Sequence, residues 1–236
     1  MVLRALLFDF NGVLVNDEPV HLALFRKVLE EEGLSLSDQD YYRDYLGLDD
    51  RGCFTAVLER AGRPTSVPAV MRLIARKASY YQAWAHREGF PFFPGAIELV
   101  REAAAHGLML GLVSGALRDE IEQALRRAGL RELFKTVVAA DDVREGKPHP
   151  EGYRKGLEDL NALPPYPDRL LHPHEVLAIE DSPAGIEAAA GAGLVTLGVA
   201  HTYPEDRLAD SDLAVPRLDG LTVRRLQELY ASASRT

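Results

Sequence analysis

The sequence predicts an α/β fold built on a parallel sheet, with an all-helical segment inserted after the first strand. Three observations carry that prediction. From residue 95 onward, short apolar runs alternate with stretches of helical spacing, the pattern of βαβ crossovers. Residues 17–87 show helical periodicity and no strand signal. Between these regions lies Phe90-Pro91-Phe92-Phe93-Pro94-Gly95, a break rich in proline and aromatics. The expected division is residues 1–16 with 89–236 as the sheet domain, and 17–88 as a small helical domain.

The first element is a strand. Leu3, Ala5, Leu6, Leu7 and Phe8 form an apolar run that suits burial on both faces, and it stops at Asp9. Asn11-Gly12 supplies a tight turn, since both residues tolerate positive φ. Residues 18–32 read as a helix with apolar positions at Val20, Leu24, Val28 and Leu29, ended by Gly33. Three more helices follow over 38–45, 49–61 and 66–87, with Gly47, Gly62, Pro64 and Pro68 marking the breaks. Beyond the aromatic break, helix 95–105 precedes strand 108–113, and helix 117–128 precedes a short strand near 136–139. Helix 150–161 precedes strand 175–179, and helix 183–191 precedes strand 194–199. A last strand near 212–215 leads into helix 220–231, and the proline-rich segment 163–174 reads as a surface loop.

Composition narrows the function classes. Apolar residues make up 47%, as in an ordinary globular chain. Lys plus Arg number 27 against 36 Asp plus Glu, a net charge of −9 that argues against a nucleic-acid surface. A local group of cations can still hold a phosphate. Cys53 is the only cysteine, so no intrachain disulfide forms, and it reads as a semi-buried structural residue rather than a nucleophile. The N-terminus, with one Arg and then a strand containing Asp9, is unlike a signal peptide, and no apolar run is long enough to span a bilayer. The expectation is a soluble cytoplasmic protein.

Four chemical signals fall at strand ends. Asp9 sits where open α/β sheets place their ligands, and a carboxylate there can attack a phosphoryl group; its local alternative is a turn cap. Ser114-Gly115 follows strand 108–113, where a hydroxyl and backbone N–H groups suit phosphoryl oxygens; its alternative is an N-cap for the next helix. Lys147 lies in Gly146-Lys147-Pro148-His149-Pro150, whose prolines fix the backbone and start a helix. Glu180 and Asp181 are adjacent carboxylates at a strand end, tolerated there chiefly beside a cation such as Mg²⁺, which takes oxygen ligands. Ser182-Pro183 also fits an N-cap followed by proline at the first helical position.

Asp9-Phe10-Asn11-Gly12-Val13 resembles the first motif of the haloacid dehalogenase superfamily, usually Asp-x-Asp-Gly-Thr/Val, with Asn11 in place of the second Asp. The other three signals stand in the order that family shares, and the resemblance covers essentially the whole chain. It is closest to the β-phosphoglucomutase-like branch. The resemblance implies a Rossmann-like α/β core with an inserted helical-bundle cap. It implies a Mg²⁺-dependent phosphatase acting on a small phosphorylated metabolite through an aspartyl-phosphate on Asp9. In that scheme Ser114, Gly115 and Lys147 hold the phosphoryl group. Asp9, the backbone carbonyl of Asn11, Glu180 and Asp181 hold Mg²⁺. Asn16-Asp17 and Gly89–Phe93 form a hinge, and a freely moving cap favours a monomer. Cap residues choose the substrate: His21, and Gly47 and Arg51 of the loop Leu46–Arg51. Lys77 matches a cap lysine of the mutase-like members. Local alternatives stand beside these roles, with His21 packing or hydrogen-bonding and Arg51 and Lys77 solvated. Tyr80, Tyr81 and Trp84 read as bundle core rather than substrate-stacking groups. Leu46 stands where mutase-like members carry a lysine, which speaks against a sugar-phosphate mutase.

In that family the second Asp is the general acid/base, a role an amide cannot fill. Three readings follow: a hydrolase of phosphates with good leaving groups, a hydrolase that recruits Asp17 or Glu18 as substitute acid, or a catalytically impaired phosphate-binding protein. Asn11-Gly12 is also a deamidation-prone pair that could generate Asp at position 11. The dehalogenase branch lacks the metal-binding acidic pair, and the phosphonatase branch needs a cap lysine near Gly47, so both fit less well.

Overall fold

The computed structural model describes residues 2–233. The chain divides into two compact units, Met1–Asn16 with Phe92–Thr236, and Asp17–Pro91. The boundary falls at 91/92 rather than at 88/89, and Phe90 packs within the helical unit against Tyr81, ring centroids 6.2 Å apart.

The first strand, β1 (Ala5–Phe8), is buried along its whole length. The helical unit follows with α1 (Glu18–Glu31), α2 (Asp38–Asp40), α3 (Asp50–Arg60) and α4 (Val67–Glu88). Helices α1 and α3 both pack on α4. The buried stripe of α1 runs through His21, Leu22, Phe25, Val28 and Leu29. Val20 and Leu24, expected on that stripe, are only half-buried. The helix expected over 38–45 is interrupted: α2 passes into a π turn, Tyr41–Tyr45, closed by Leu46 N–H donating to Tyr41 carbonyl at 2.9 Å. The wider turn buries both Tyr41 and Tyr45 and leaves Tyr42 to Asp44 outside. Tyr41 and Phe54 both pack on Phe25, at 5.9 and 5.0 Å between centroids. Cys53 is wholly buried there, deeper than its semi-buried expectation.

The sheet unit continues with α5 (Ala96–Ala105), β2 (Met109–Val113), α6 (Arg118–Arg127) and β3 (Thr136–Val138). It then runs through α7 (Glu151–Ala162), β4 (Val176–Glu180), α8 (Pro183–Gly191), β5 (Val195–Val199), β6 (Leu213–Val215) and α9 (Val223–Ala233). All strand pairs are parallel, in the order β3-β2-β1-β4-β5-β6. The run of strands reverses direction between β1 and β4, the switch point at which open sheets bind ligands. Register sets the site: Phe8 pairs with both Leu112 and Ile179, so Asp9 is level with Val113 and Glu180. Helix α7 covers β2 and β3, and α8 covers β4 and β5. Beneath them Leu7, Val113, Val138, Leu160, Val176 and Ala188 form one closed apolar layer. Among the described residues, no helix is long and apolar enough to cross a membrane.

Candidate active site

Residues 9–15 leave β1 as a short knot. Leu14 and Val15 N–H groups both donate to Phe10 carbonyl, at 2.8 and 2.9 Å, and Gly12 N–H donates to Val15 carbonyl at 2.9 Å. That last bond bears on deamidation. The reaction needs Gly12 nitrogen to attack the Asn11 side chain, and here the nitrogen is bonded and Gly12 is fixed at φ +76°. The folded turn therefore opposes it. Gly12 is required sterically as well: a Cβ there would lie 1.8 Å from Asp181 Oδ2 and 2.7 Å from Thr202 Oγ1.

Lys147 joins the two strand ends. Its Nζ lies 2.8 Å from Asp9 Oδ1 and 2.6 Å from Glu180 Oε1. Glu180 is fully buried and also accepts from Tyr153 hydroxyl on α7. Glu180 lies so close to the turn into α8 that a Cβ at Gly185 would sit 1.9 Å from its Oε2. Ser182 caps α8, its Oγ accepting from Gly185 N–H at 3.2 Å, with proline at the first position.

Asp9, Glu180 and Asp181 are all buried, and one carboxylate oxygen of each lies within 4.8 Å of the others. One ammonium against three buried carboxylates leaves excess negative charge in low dielectric. Burial pushes Glu180 up to about 7; Lys147 pulls it back and Asp9 adds to the rise. Burial, then Asp9 and Glu180, push Asp181 well above the usual carboxylate range, against a hydrogen bond from Thr202. Burial alone would pull Lys147 down, but Asp9 and Glu180 outweigh it and hold the ammonium above its ordinary value. A cluster of hard oxygen donors whose negative charge exceeds what one ammonium offsets fits a divalent cation such as Mg²⁺.

Ser114 is buried at the end of β2. Its hydroxyl accepts from Ala116 N–H at 3.1 Å, and α6 is capped by Leu117 without a side-chain bond, so Ser114 is not the N-cap. Gly115 follows, exposed. Three neighbours carried no signal in the sequence reading. Tyr153 holds Glu180. Thr202 holds Asp181. His201 shares a 2.9 Å hydrogen bond with Gly12 carbonyl through Nδ1, which must be the donor, and its ring stacks on Phe93 at 3.9 Å. His201 and Thr202 follow β5 at the same carboxyl edge as the other site residues, and that position was the available clue.

The helical unit holds its own polar cluster. Lys77 is 1% exposed, which corrects its solvated reading. It donates to Asp50 and pairs with His21 Nδ1 at 2.7 Å, with its ammonium 4.3 Å from the Phe25 ring. His21 therefore both packs and hydrogen-bonds: its Nε2 meets Asp17 Oδ2 at 3.3 Å and its ring stacks on Tyr81 at 5.0 Å. Asp17 is fully buried and also accepts from Tyr81 hydroxyl, while Glu18 accepts from Tyr41 hydroxyl. Of the three aromatics expected in the bundle core, only Tyr81 is fully buried; Tyr80 and Trp84 are half-buried. Gly47 and Arg51 are exposed.

The family model described as haloacid dehalogenase-like hydrolase matches residues 6–199. Validoxylamine A 7'-phosphate phosphatase of Streptomyces hygroscopicus subsp. limoneus is 30% identical over 216 residues, covering 91% of this chain and 94% of that protein. Phosphorylated carbohydrates phosphatase of Thermotoga maritima is 28% identical over 206 residues, covering 87% of this chain and 89% of that protein. A β-phosphoglucomutase from Clostridium difficile has the same fold, with a TM-score of 0.85 at 22% identity over 100% of both chains. On a match of that extent the chain belongs to the haloacid dehalogenase-like hydrolases, with a fold of the β-phosphoglucomutase kind.

Proposed function

We propose that the protein is a Mg²⁺-dependent phosphatase of a small phosphorylated metabolite, working through a phosphoryl group carried on Asp9. The observation that carries this reading is the buried cluster of Asp9, Lys147, Glu180 and Asp181 at the switch point of the sheet. The two curated relatives, both phosphatases by name, support it.

Asp9, Glu180, Asp181 and the Asn11 backbone carbonyl would hold Mg²⁺, which supplies charge neutralisation on the phosphoryl oxygens when bound. An Asp9 carboxylate oxygen attacks phosphorus, and the bond to the leaving oxygen breaks. Lys147, held cationic by its two carboxylates, offsets the charge that gathers on the transferring group. Ser114 and Gly115 bind its remaining oxygens. Water then attacks phosphorus, releasing phosphate and restoring Asp9. The helical unit acts as the cap, through His21, Gly47 and Arg51, and the protein works as a monomer. Leu46 gives no support to a mutase.

A second reading, phosphate binding without turnover, is favoured by Asn11 alone. Initial rates with Mg²⁺ on aryl, acyl and sugar phosphates decide between them. Asp9→Asn is expected to lower kcat by at least about 10³-fold. Unchanged activity in that variant would sink the phosphatase reading.

A further inference from the structure

We infer that the site acts on phosphates whose leaving group departs without receiving a proton: acyl phosphates, aryl or enol phosphates, or phosphoanhydrides. The inference rests on the phosphatase reading above. It comes from the hydrogen-bonding of the groups around Asp9. A phosphate ester of an ordinary alcohol expels a strongly basic alkoxide, and a positioned acid normally supplies its proton. Among the described residues, each polar side chain that the sheet unit sets around Asp9 is committed elsewhere or, like the Ser114 alcohol and the Asn11 amide, is too weak an acid for this step.

Lys147 is shared between Asp9 and Glu180. Tyr153 hydroxyl donates to Glu180, and Ser182 hydroxyl lies 3.5 Å from the same carboxylate. Thr202 hydroxyl bonds Asp181. Asn11 carries an amide, which is no acid. His201 spends its Nδ1–H on Gly12 carbonyl and is clamped on Phe93, so its neutral ring presents Nε2 as an acceptor and not as an acid. The two carboxylates that follow the first motif are engaged as well, within the helical unit. Asp17 accepts from Tyr81 and contacts His21, and Glu18 accepts from Tyr41.

The chemistry balances without an acid when the leaving group is weakly basic. Asp9 oxygen bonds to phosphorus, the bond from phosphorus to the leaving oxygen breaks, and the leaving group departs as an anion with that electron pair. Solvent protonates it afterwards. In the second step water oxygen bonds to phosphorus, the bond to Asp9 breaks, and the water proton passes to a phosphate oxygen or to solvent. That step has no dedicated base either, so a phosphorylated Asp9 is expected to accumulate and an aryl substrate to give a burst.

The test is kcat/KM for a series of substituted phenyl phosphates and small alkyl phosphates, with acetyl phosphate beside them, on wild type, Asp9→Asn, Asn11→Asp and His201→Gln. The expected result is Asp9-dependent turnover in wild type that falls steeply as leaving-group pKa rises. Asn11→Asp is expected to shrink the aryl-to-alkyl ratio by about 10²-fold or more. Comparable kcat/KM for aryl and alkyl esters in wild type would overturn the inference. If that alkyl activity vanished in His201→Gln, His201 would be the acid. A silent wild type with an active Asn11→Asp protein would also overturn it, in favour of phosphate binding. Turnover insensitive to Asp9→Asn would show instead that the phosphatase reading itself had failed.

Discussion

Gly12 fixes how closely the first turn approaches Asp181, because a side chain there would overlap the carboxylate at 1.8 Å. Gly12→Ala is expected to cost at least about 1–3 kcal/mol from the positive φ alone, read as a lower Tm, and to weaken Mg²⁺ binding measured by calorimetry. The raised carboxylates give a pH dependence. In the metal-free fold Glu180 keeps its proton up to about 7, above its ordinary 4.5. That contribution to stability is present below the ordinary value and is lost as pH rises through about 7. Divalent binding needs the deprotonated form, so the Tm increase produced by Mg²⁺ is expected to grow between pH 5 and 8. An increase that shrinks across that window would contradict the charge assignment. Asp9, Glu180 and Asp181 were legible because ionic residues at the ends of apolar strands need a reason to be there, and Lys147 because prolines flank it in a segment that resembles the family's Lys-Pro motif. Tyr153, His201 and Thr202 were not, since a tyrosine on a helix and a His-Thr pair in a loop are unremarkable until register brings them to the carboxylates.

Lys77 shows what an element can reveal that a residue type conceals. Lysine is usually solvated, yet position 77 shares one face of α4 with Leu73, Ile74 and Tyr81, all buried. The periodicity prevailed, and the buried ammonium found Asp50 and His21. Lys77→Met leaves those partners uncompensated and is expected to destabilise the helical unit by about 3 kcal/mol, read by thermal or urea denaturation. At the other end of the chain, Ser182→Ala removes the cap of α8 and is expected to cost about 1 kcal/mol in the same assay. Strand and helix order followed from pattern alone, because buried parallel strands are continuous apolar runs. The π turn at Tyr41–Tyr45 did not, since residues four apart share a face of a regular helix as well and the burial of both tyrosines does not mark the wider turn.

At the scale of the whole molecule, the chain passes between its units at 16/17 and again at 91/92. Inside the sheet unit the two passages are paired: Val15 bridges to Phe92, and Phe93 N–H donates to Leu14 carbonyl at 2.9 Å. In the proposed reaction the chemistry is assigned to the sheet unit and the choice of substrate to the helical unit. Exchanging residues 17–91 for the matching segment of a relative is therefore expected to change which phosphates are preferred while dependence on Asp9 persists. The most direct measurement is the mass of the peptide containing Asp9 after brief mixing with acetyl phosphate and Mg²⁺ and an acid quench. The account predicts a gain of one phosphoryl group on that peptide, removed by hydroxylamine and absent in Asp9→Asn. An unmodified Asp9 peptide under turnover, or a label that survives in Asp9→Asn, would contradict it.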